Sequence, residues 1–191
     1  MDIREITGDW DYRTLPANVR LGPGCFIERK ASFLRYRSTQ PVGLSLGANV
    51  TVYTWTEFSI EPGGSVEVGN DCVLVGASFM CAENIRIGDR VVVSYHVTIA
   101  DSDFHPLDLQ ARRRDAIANA PGGDRSQRPP LLARPVRIDD DAWLGIGVMI
   151  LKGVHIGKGV RVEAGAVVTR DVPDGATVAG NPARVVAGAQ P

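Results

Sequence analysis

An apolar residue recurs at every sixth position along much of this chain, and that period constrains the fold more than any other feature. It is clearest between Ile138 and Val172, where positions 138, 144, 150, 156, 162 and 168 are all aliphatic. A period of six matches neither the 3.6-residue turn of an α-helix nor the two-residue alternation of a strand. It matches a solenoid in which three short strands, separated by turns, form each coil.

Three six-residue units make a coil of eighteen residues, and six such coils align along the chain. Each opens with an aliphatic residue followed by glycine or aspartate, at Leu21, Leu46, Val68, Ile87, Ile138 and Ile156. The residues six positions later are also apolar (Ile27, Val52, Leu74, Val93, Leu144 and Val162), and so are those twelve later (Phe33, Phe58, Met80, Ile99, Ile150 and Val168). We expect these side chains to fill the interior of the solenoid.

The repeat predicts an all-β fold, a parallel β-helix of about six triangular coils over residues 21–173, stacked about 4.8 Å apart. Residues 1–20 form an N-terminal lead-in. Residues 174–191 form a C-terminal cap and tail that covers the edge of the last coil. Extra residues between coils all fall at one corner, after the third strand. The largest of these additions is one long inserted loop at about 105–137, whose length indicates a functional role.

Composition excludes several classes of function. The 21 Lys and Arg residues nearly balance 22 Asp and Glu residues, so a broad basic face for nucleic acid is not expected. The longest apolar run, from Ala142 to Leu151, is too short to span a membrane. The first residues form no apolar signal segment and the chain has three cysteines, which favours a reducing, cytoplasmic location.

Three segments, in this order, carry a resemblance to a known family. They are Asp-Ser-Asp-Phe-His-Pro-Leu-Asp at 101–108, Trp-Leu-Gly-Ile-Gly at 143–147, and Val-Thr-Arg-Asp-Val-Pro at 168–173 with Ala-Gly-Asn-Pro-Ala-Arg at 179–184. Together they resemble hexapeptide-repeat acyltransferases, in particular the maltose/galactoside and polysaccharide O-acetyltransferases. The resemblance implies a left-handed parallel β-helix, acetyl-CoA as acyl donor, and a homotrimer with active sites between subunits.

His105 is the predicted catalytic residue. An acceptor hydroxyl is a poor nucleophile until a base removes its proton, and a neutral histidine is suited to that step near pH 7. His105 begins the insertion, lies outside the inward register, and matches the histidine that acts as general base in the family. Its ring needs a partner on the other nitrogen, for which Asp101, Asp103 and Asp108 are candidates, and the resemblance implies a backbone carbonyl as the alternative. We favour Asp103, either as this orienting partner or as a contact to the acceptor.

The resemblance also implies which residues bind acetyl-CoA. Trp143, with Gly145 and Ile146, would lie near the acetyl and thioester end, where Trp143 would also contact substrate. Four residues would run toward the nucleotide end, namely Ala164, Thr169, Arg170 and Arg184. Guanidinium groups pair well with phosphate, so Arg170 and Arg184 are the expected phosphate contacts.

Other activities remain open at this point. A carbonic-anhydrase-like zinc site is one alternative, since the chain has three histidines, His96, His105 and His155. Their spacing differs from that of the carbonic-anhydrase branch of the fold, and no metal is expected. Val75 stands where maltose/galactoside enzymes carry an asparagine. The candidate acceptors therefore include polysaccharide precursors and other hydroxyl-bearing small molecules besides simple sugars. The alternatives are N-acetylation of an amino sugar or xenobiotic, and a non-catalytic β-helix scaffold.

Overall fold

The computed structural model describes residues 14–53 and 55–188, which form nineteen strands, one α-helix and two short 3-10 helices. The helices are α1 (Leu109–Asn119) and the 3-10 segments Lys30–Phe33 and Arg125–Gln127. The strands in chain order are β1 (Val19–Leu21), β2 (Phe26–Ile27), β3 (Leu44–Leu46), β4 (Thr51–Val52), β5 (Glu57–Ile60), β6 (Ser65–Val68), β7 (Val73–Leu74), β8 (Ser78–Cys81), β9 (Asn84–Ile87), β10 (Val92–Val93), β11 (Thr98–Ala100), β12 (Val136–Ile138), β13 (Trp143–Leu144), β14 (Met149–Ile150), β15 (His155–Ile156), β16 (Arg161–Val162), β17 (Val167–Val168), β18 (Thr177–Ala179) and β19 (Arg184–Ala187).

The strands form three sheets, one on each side of a triangular solenoid. The first sheet has the order β1-β3-β6-β9-β12-β15, the second β19-β18-β16-β13-β10-β7-β4-β2, and the third β17-β14-β11-β8-β5. Pairing is parallel throughout except between β18 and β19. All six predicted opening residues pair with one another in the first sheet, in the order Leu21, Leu46, Val68, Ile87, Ile138 and Ile156. The predicted all-β parallel architecture is therefore confirmed.

Stacked apolar side chains fill the interior, because every second residue of each strand points inward. In the second sheet, all the predicted inward residues from Ile27 to Val162 are buried. In the third sheet, the rings of Phe58 and Phe79 stack with centroids 5.2 Å apart. The interior is one continuous core running along the solenoid axis.

One of the predicted interior positions, Met80, is wrong, and another, Phe33, is not in a strand. Phe79, and not Met80, pairs with Phe58 and Ile99, because the turn after Leu74 is one residue shorter than in neighbouring coils. Phe33 is only partly buried and lies in the 3-10 helix Lys30–Phe33. The third side of the first coil is therefore a helical turn. The ring of Phe33 in this turn contacts the ring of Phe58, with centroids 5.7 Å apart.

Past Pro173 the solenoid continues for part of a seventh coil. Val172 bridges to Ile156, and β18 pairs in parallel with β16. The chain then reverses, and β19 pairs antiparallel with β18 at the end of the second sheet. An antiparallel strand in this place covers the backbone edge of the last parallel strand.

The long insertion leaves and rejoins the solenoid at one corner, where the third sheet gives way to the first. We call this the insertion corner (residues 61–64, 82–83, 101–135, 151–154 and 169–171). Ser102 and Ala133 bridge at the base of the insertion. Where the sequence predicts a loop, the structure has α1, whose first turn is capped because Asp108 accepts from the Ala111 N–H at 2.7 Å. No helix among the described residues is long and apolar enough to cross a membrane.

Candidate active site

His105 lies at the insertion corner, five residues beyond the end of β11. Its Nδ1 lies 2.6 Å from Oδ2 of Asp115 on α1, and its side chain is 61% exposed. Within the described part of the chain the ring is paired through Nδ1 alone. Since Asp115 accepts a hydrogen bond from Nδ1–H, the neutral ring carries its lone pair on Nε2, the nitrogen that can accept a proton.

Asp115 is a fully buried carboxylate in α1, where Ala118 is the other buried residue. Its Oδ1 accepts from Nε of Arg128 at 2.8 Å and from the Asn119 side-chain amide at 3.0 Å. Burial by itself would raise the pKa of this carboxyl, but the hydrogen bonds and charges of Arg128 and His105 outweigh it and lower the pKa. Asp115 is therefore ionised at neutral pH and can hold the histidine ring in one orientation.

Asp103 is not the orienting partner of the ring, and its alternative role as a contact to the acceptor stays a prediction. Its carboxylate instead pairs with the Lys152 ammonium of the next coil. Asp101 is fully buried and accepts from the backbone N–H groups of Ala82 and Glu83 at 2.7 and 2.8 Å, and Asp108 caps α1. All three candidates near His105 in sequence are thus engaged elsewhere, while Asp103 remains exposed at the same corner.

The predicted residues for the acetyl end of acetyl-CoA lie at another corner, between the second and third sheets. Trp143 is 47% exposed and Ile146 is 57% exposed. The Trp143 Nε1–H donates to Ser94 Oγ at 3.3 Å, and the Arg161 guanidinium lies 4.9 Å from the ring centroid, close enough for a cation–π contact. One face of the indole is therefore covered by Arg161.

Gly145 and Ala164 face each other across successive coils at this second corner. A Cβ on Gly145 would lie 2.8 Å from the Ala164 backbone nitrogen and 2.8 Å from the Val162 carbonyl oxygen. Only glycine allows the two coils to approach so closely. Ala164 is exposed, so this strip of the corner carries little side-chain bulk.

The predicted phosphate contacts come together near the end of the solenoid. Arg170 and Arg184 line the same small pocket of about 150 Å³, together with Asp171 and Ala183. Arg170 and its neighbour Thr169 are exposed at the insertion corner. Arg184 lies in β19 and donates from Nη1 to the Ala183 carbonyl at 2.8 Å.

Within one chain the predicted site residues are therefore divided between two edges of the prism. His105, Asp103 and Arg170 lie at the insertion corner, whereas Trp143 and Ile146 lie at the second corner. The third sheet separates the two corners, and among the described residues no hydrogen bond joins His105 to Trp143.

The other histidines do not join His105. His155 pairs through Nε2 with Asp139 Oδ2 at 2.7 Å on the first sheet, and His96 has a left-handed backbone at the second corner. Among the described residues no group of three or more His, Cys, Asp or Glu side chains is arranged to hold a metal ion.

Comparison with known proteins agrees with this architecture. The family model described as Bacterial transferase hexapeptide (six repeats) matches residues 135–170. A candidate acetyltransferase of Saccharomyces cerevisiae, YJL218W, is 35% identical over 136 residues, which cover 68% of this chain and 62% of that protein. A 2,3,4,5-tetrahydropyridine-2,6-dicarboxylate N-acetyltransferase of Staphylococcus aureus is 56% identical over 57 residues, covering 30% of this chain and 24% of that protein.

Among solved structures, the hexapeptide-repeat acetyltransferase VCA0836 of Vibrio cholerae in complex with acetyl-CoA is 28% identical, with a TM-score of 0.56. The match covers 69% of this chain and 64% of that one. The chain thus spans less than two thirds of each of these proteins. The parallel strand order, the family model and the matched structure agree on a left-handed parallel β-helix. The chain carries hexapeptide repeats and is similar to hexapeptide-repeat acetyltransferases.

Proposed function

We propose that this protein is an acetyl-CoA-dependent O-acetyltransferase in which His105 is the general base. The observation that carries the proposal is the pairing of His105 Nδ1 with the buried carboxylate of Asp115 at 2.6 Å. A buried carboxylate fixes the tautomer of the ring and leaves Nε2 exposed as the proton acceptor. Burying a charged group costs desolvation free energy, which a merely structural contact would not require.

The chemistry follows from that tautomer. Nε2 of His105 takes the proton of the acceptor hydroxyl as its oxygen attacks the thioester carbon of acetyl-CoA. The tetrahedral intermediate collapses with cleavage of the C–S bond, and the imidazolium returns the proton to the departing CoA sulfur. The products are an acetyl ester and CoA, and His105 ends neutral. Asp115 stabilises the imidazolium that forms in between.

The division of the site between two edges supports a homotrimer with active sites between subunits. In such an assembly the insertion corner of one subunit would face the second corner of its neighbour. His105 would then lie across from Trp143, Gly145 and Ile146 of another copy. The strip beside Gly145 and Ala164 would admit the thin pantetheine arm of acetyl-CoA. Arg170 and Arg184, together with Thr169, would hold its phosphates at the far end.

A mixing experiment tests this arrangement. His105→Ala and Trp143→Ala chains, each of low activity alone, are unfolded together and refolded as mixed oligomers. If one corner comes from each subunit, about a quarter of the sites in a random mixture contain both intact residues and regain activity. If both corners of a site came from one chain, mixing would restore nothing.

The acceptor proposed here is a hydroxyl of a sugar, polysaccharide precursor or related small molecule. The Staphylococcus aureus relative is an N-acetyltransferase, so transfer to an amine is the second candidate. Matched acceptors, a hexose and the corresponding 2-amino-hexose, separate the two. An acetyl ester is cleaved by hydroxylamine and an amide is not, so the product of each reaction identifies the atom acetylated.

Binding of acetyl-CoA is measured first, by thermal unfolding. Ligand at 100 times its dissociation constant should stabilise the protein by about 2.7 kcal/mol. A saturable upward shift in Tm supports the donor assignment and justifies the acceptor pair. The absence of a shift with acetyl-CoA and with longer acyl-CoAs would overturn the enzyme proposal in favour of a non-catalytic scaffold.

A further inference from the structure

Behind the His105–Asp115 pair lies a chain of ion pairs that reaches an earlier coil of the solenoid. Nε of Arg128 lies 2.8 Å from Asp115 Oδ1, and Nη1 of Arg128 lies 3.1 Å from Oε1 of Glu61. Arg125 also reaches Glu61, with Nη2 at 3.0 Å from Oε1. The side chains of Arg128 and Glu61 are 11% and 14% exposed, so these contacts are largely shielded from water.

Glu61 is a fixed point, because it directly follows β5 in the third sheet. Its backbone N–H donates to the Cys81 carbonyl at 2.8 Å. Since β5 pairs with β8 and β8 with β11, Glu61 lies two coils before the strand that leads to His105. The insertion therefore folds back along its corner and is tied to the rigid solenoid at a distance from its own base.

Arg128 holds the histidine at two points. Besides fixing Asp115, its Nη2 donates to the Phe104 carbonyl at 3.2 Å. Phe104 precedes His105 and has a φ of 56°, a left-handed conformation that bulky residues rarely adopt. One guanidinium thus supports both the ring partner of His105 and the backbone turn that presents the ring.

We propose that Arg128, anchored by Glu61, is a positioning residue for His105. This inference rests on the proposed function of His105 as a base and deepens it. Asp115 and Glu61 carry two negative charges, and Arg128 and Arg125 carry two positive charges, so the network is balanced while the histidine ring is neutral. Removing Arg128 leaves the buried Asp115 without its cation and frees the turn at Phe104.

The test compares Arg128→Gln with two matched variants. Arg128→Lys keeps the charge but loses the planar fork. Arg125→Gln removes an ion pair of the same Glu61 and a hydrogen bond to the Asn119 side chain, but no direct contact to the Asp115 carboxylate. We expect Arg128→Gln to lower kcat about 10- to 100-fold with the KM for acetyl-CoA nearly unchanged. Arg128→Lys should recover part of the loss, and Arg125→Gln should stay within about threefold of wild type.

A second readout does not depend on enzyme activity. Protein labelled with ¹⁵N-histidine reports, for the neutral ring, which nitrogen carries the proton, and the signals of His105 are identified by their absence in His105→Ala. We expect a single Nδ1–H tautomer in wild type and in Arg125→Gln, and a mixture of tautomers in Arg128→Gln. If wild type shows this tautomer but transfers no acetyl group, the proposed function fails while the positioning role of Arg128 stands.

Unchanged kcat and an unchanged tautomer in Arg128→Gln would overturn the inference. So would an equal loss in Arg125→Gln, since the effect would then reflect general loosening of the insertion. Circular dichroism and the acetyl-CoA-induced shift in Tm establish that each variant is folded. If Arg128→Gln does not fold, Glu61→Gln takes its place, because it leaves the Arg128–Asp115 contact and removes only the anchor. A smaller tautomer change is then expected, and none at all would contradict the proposal.

Discussion

Nδ1 of His105 lies 2.6 Å from Oδ2 of Asp115, a residue of α1 that lies ten positions further along the chain. The contact joins an exposed imidazole at the base of the insertion to a carboxylate with no exposed surface. It makes the insertion part of the candidate active site, because folding of α1 is what delivers the orienting group.

Replacing Asp115 with asparagine should lower kcat by about 10²- to 10⁴-fold, because an amide can stabilise the wrong tautomer and cannot balance an imidazolium. Affinity for acetyl-CoA, measured by calorimetry, should change little. Asp103→Asn is the matched control, since Asp103 lies two residues from His105 but pairs with Lys152. A larger loss in Asp103→Asn than in Asp115→Asn would reverse the assignment.

Acid should remove the stability that Asp115 contributes. Arg128 and His105 outweigh the effect of burial and hold the pKa of Asp115 below its ordinary value. The contribution is therefore fully present above the unfolded-state pKa of about 3.9 and is lost as pH falls through the lower folded-state value. The free energy of unfolding lost in Asp115→Asn, measured in urea, should be larger at pH 6 than at pH 3.

Asp101 is a control, because its contribution to stability should change with pH in the opposite direction. Burial raises the pKa of Asp101, so its contribution is fully present below the unfolded-state pKa and declines as pH rises through the folded-state value. The free energy lost in Asp101→Asn should therefore be larger at pH 3 than at pH 6. The same pH trend in both variants would contradict the two opposite shifts.

The corrected register of the third coil makes a direct prediction about stability. Phe79 is fully buried and stacks on Phe58, so Phe79→Ala should lower the free energy of unfolding by about 3–5 kcal/mol. Met80 faces outward from the same strand and is only partly buried, so Met80→Ala should cost about 1 kcal/mol. Denaturant unfolding of the two variants tests the register. Comparable losses of unfolding free energy in the two variants would favour Met80 as an interior residue, as the six-residue spacing predicts.

Arg170 and Arg184 should contribute separately to the binding of acetyl-CoA. Each supplies a guanidinium to the same small pocket, and a charged hydrogen bond to phosphate is worth about 1.5–3 kcal/mol. Alanine at either position should weaken acetyl-CoA binding about tenfold or more, with a smaller effect on acetyl-pantetheine, which lacks the nucleotide. Equal effects on both donors would place the phosphates elsewhere.

The repeat could be predicted well because an apolar residue recurs at every sixth position through most of the coils. At Phe79 and Met80 two large apolar residues are adjacent, so the apolar period survives a shift of one residue in register. The six-residue spacing then predicts Met80 as the interior residue instead of Phe79. At Phe33 the apolar period persists, but the segment Lys30–Phe33 closes into a 3-10 turn instead of pairing as a strand. Tertiary contacts decide both positions.

The candidate site was predictable only in part for a related reason. His105 is marked by its neighbours in sequence, which also favour Asp103 as its partner. Asp115 lies in an arginine-rich segment without an apolar stripe, and its role depends on α1 folding back over the solenoid. The ion pairs of Arg128 and Arg125 with Glu61 join residues more than sixty positions apart, which no local pattern can indicate.

The role of His105 as the base is tested most directly by the acetyl-transfer rate of His105→Ala beside its affinity for acetyl-CoA. We expect the variant to bind acetyl-CoA as wild type does and to lose at least about 10²-fold in kcat. Raising the pH, which ionises the acceptor without the base, should recover part of the rate. A His105→Ala protein with unchanged affinity and a wild-type rate would show that His105 is not the base.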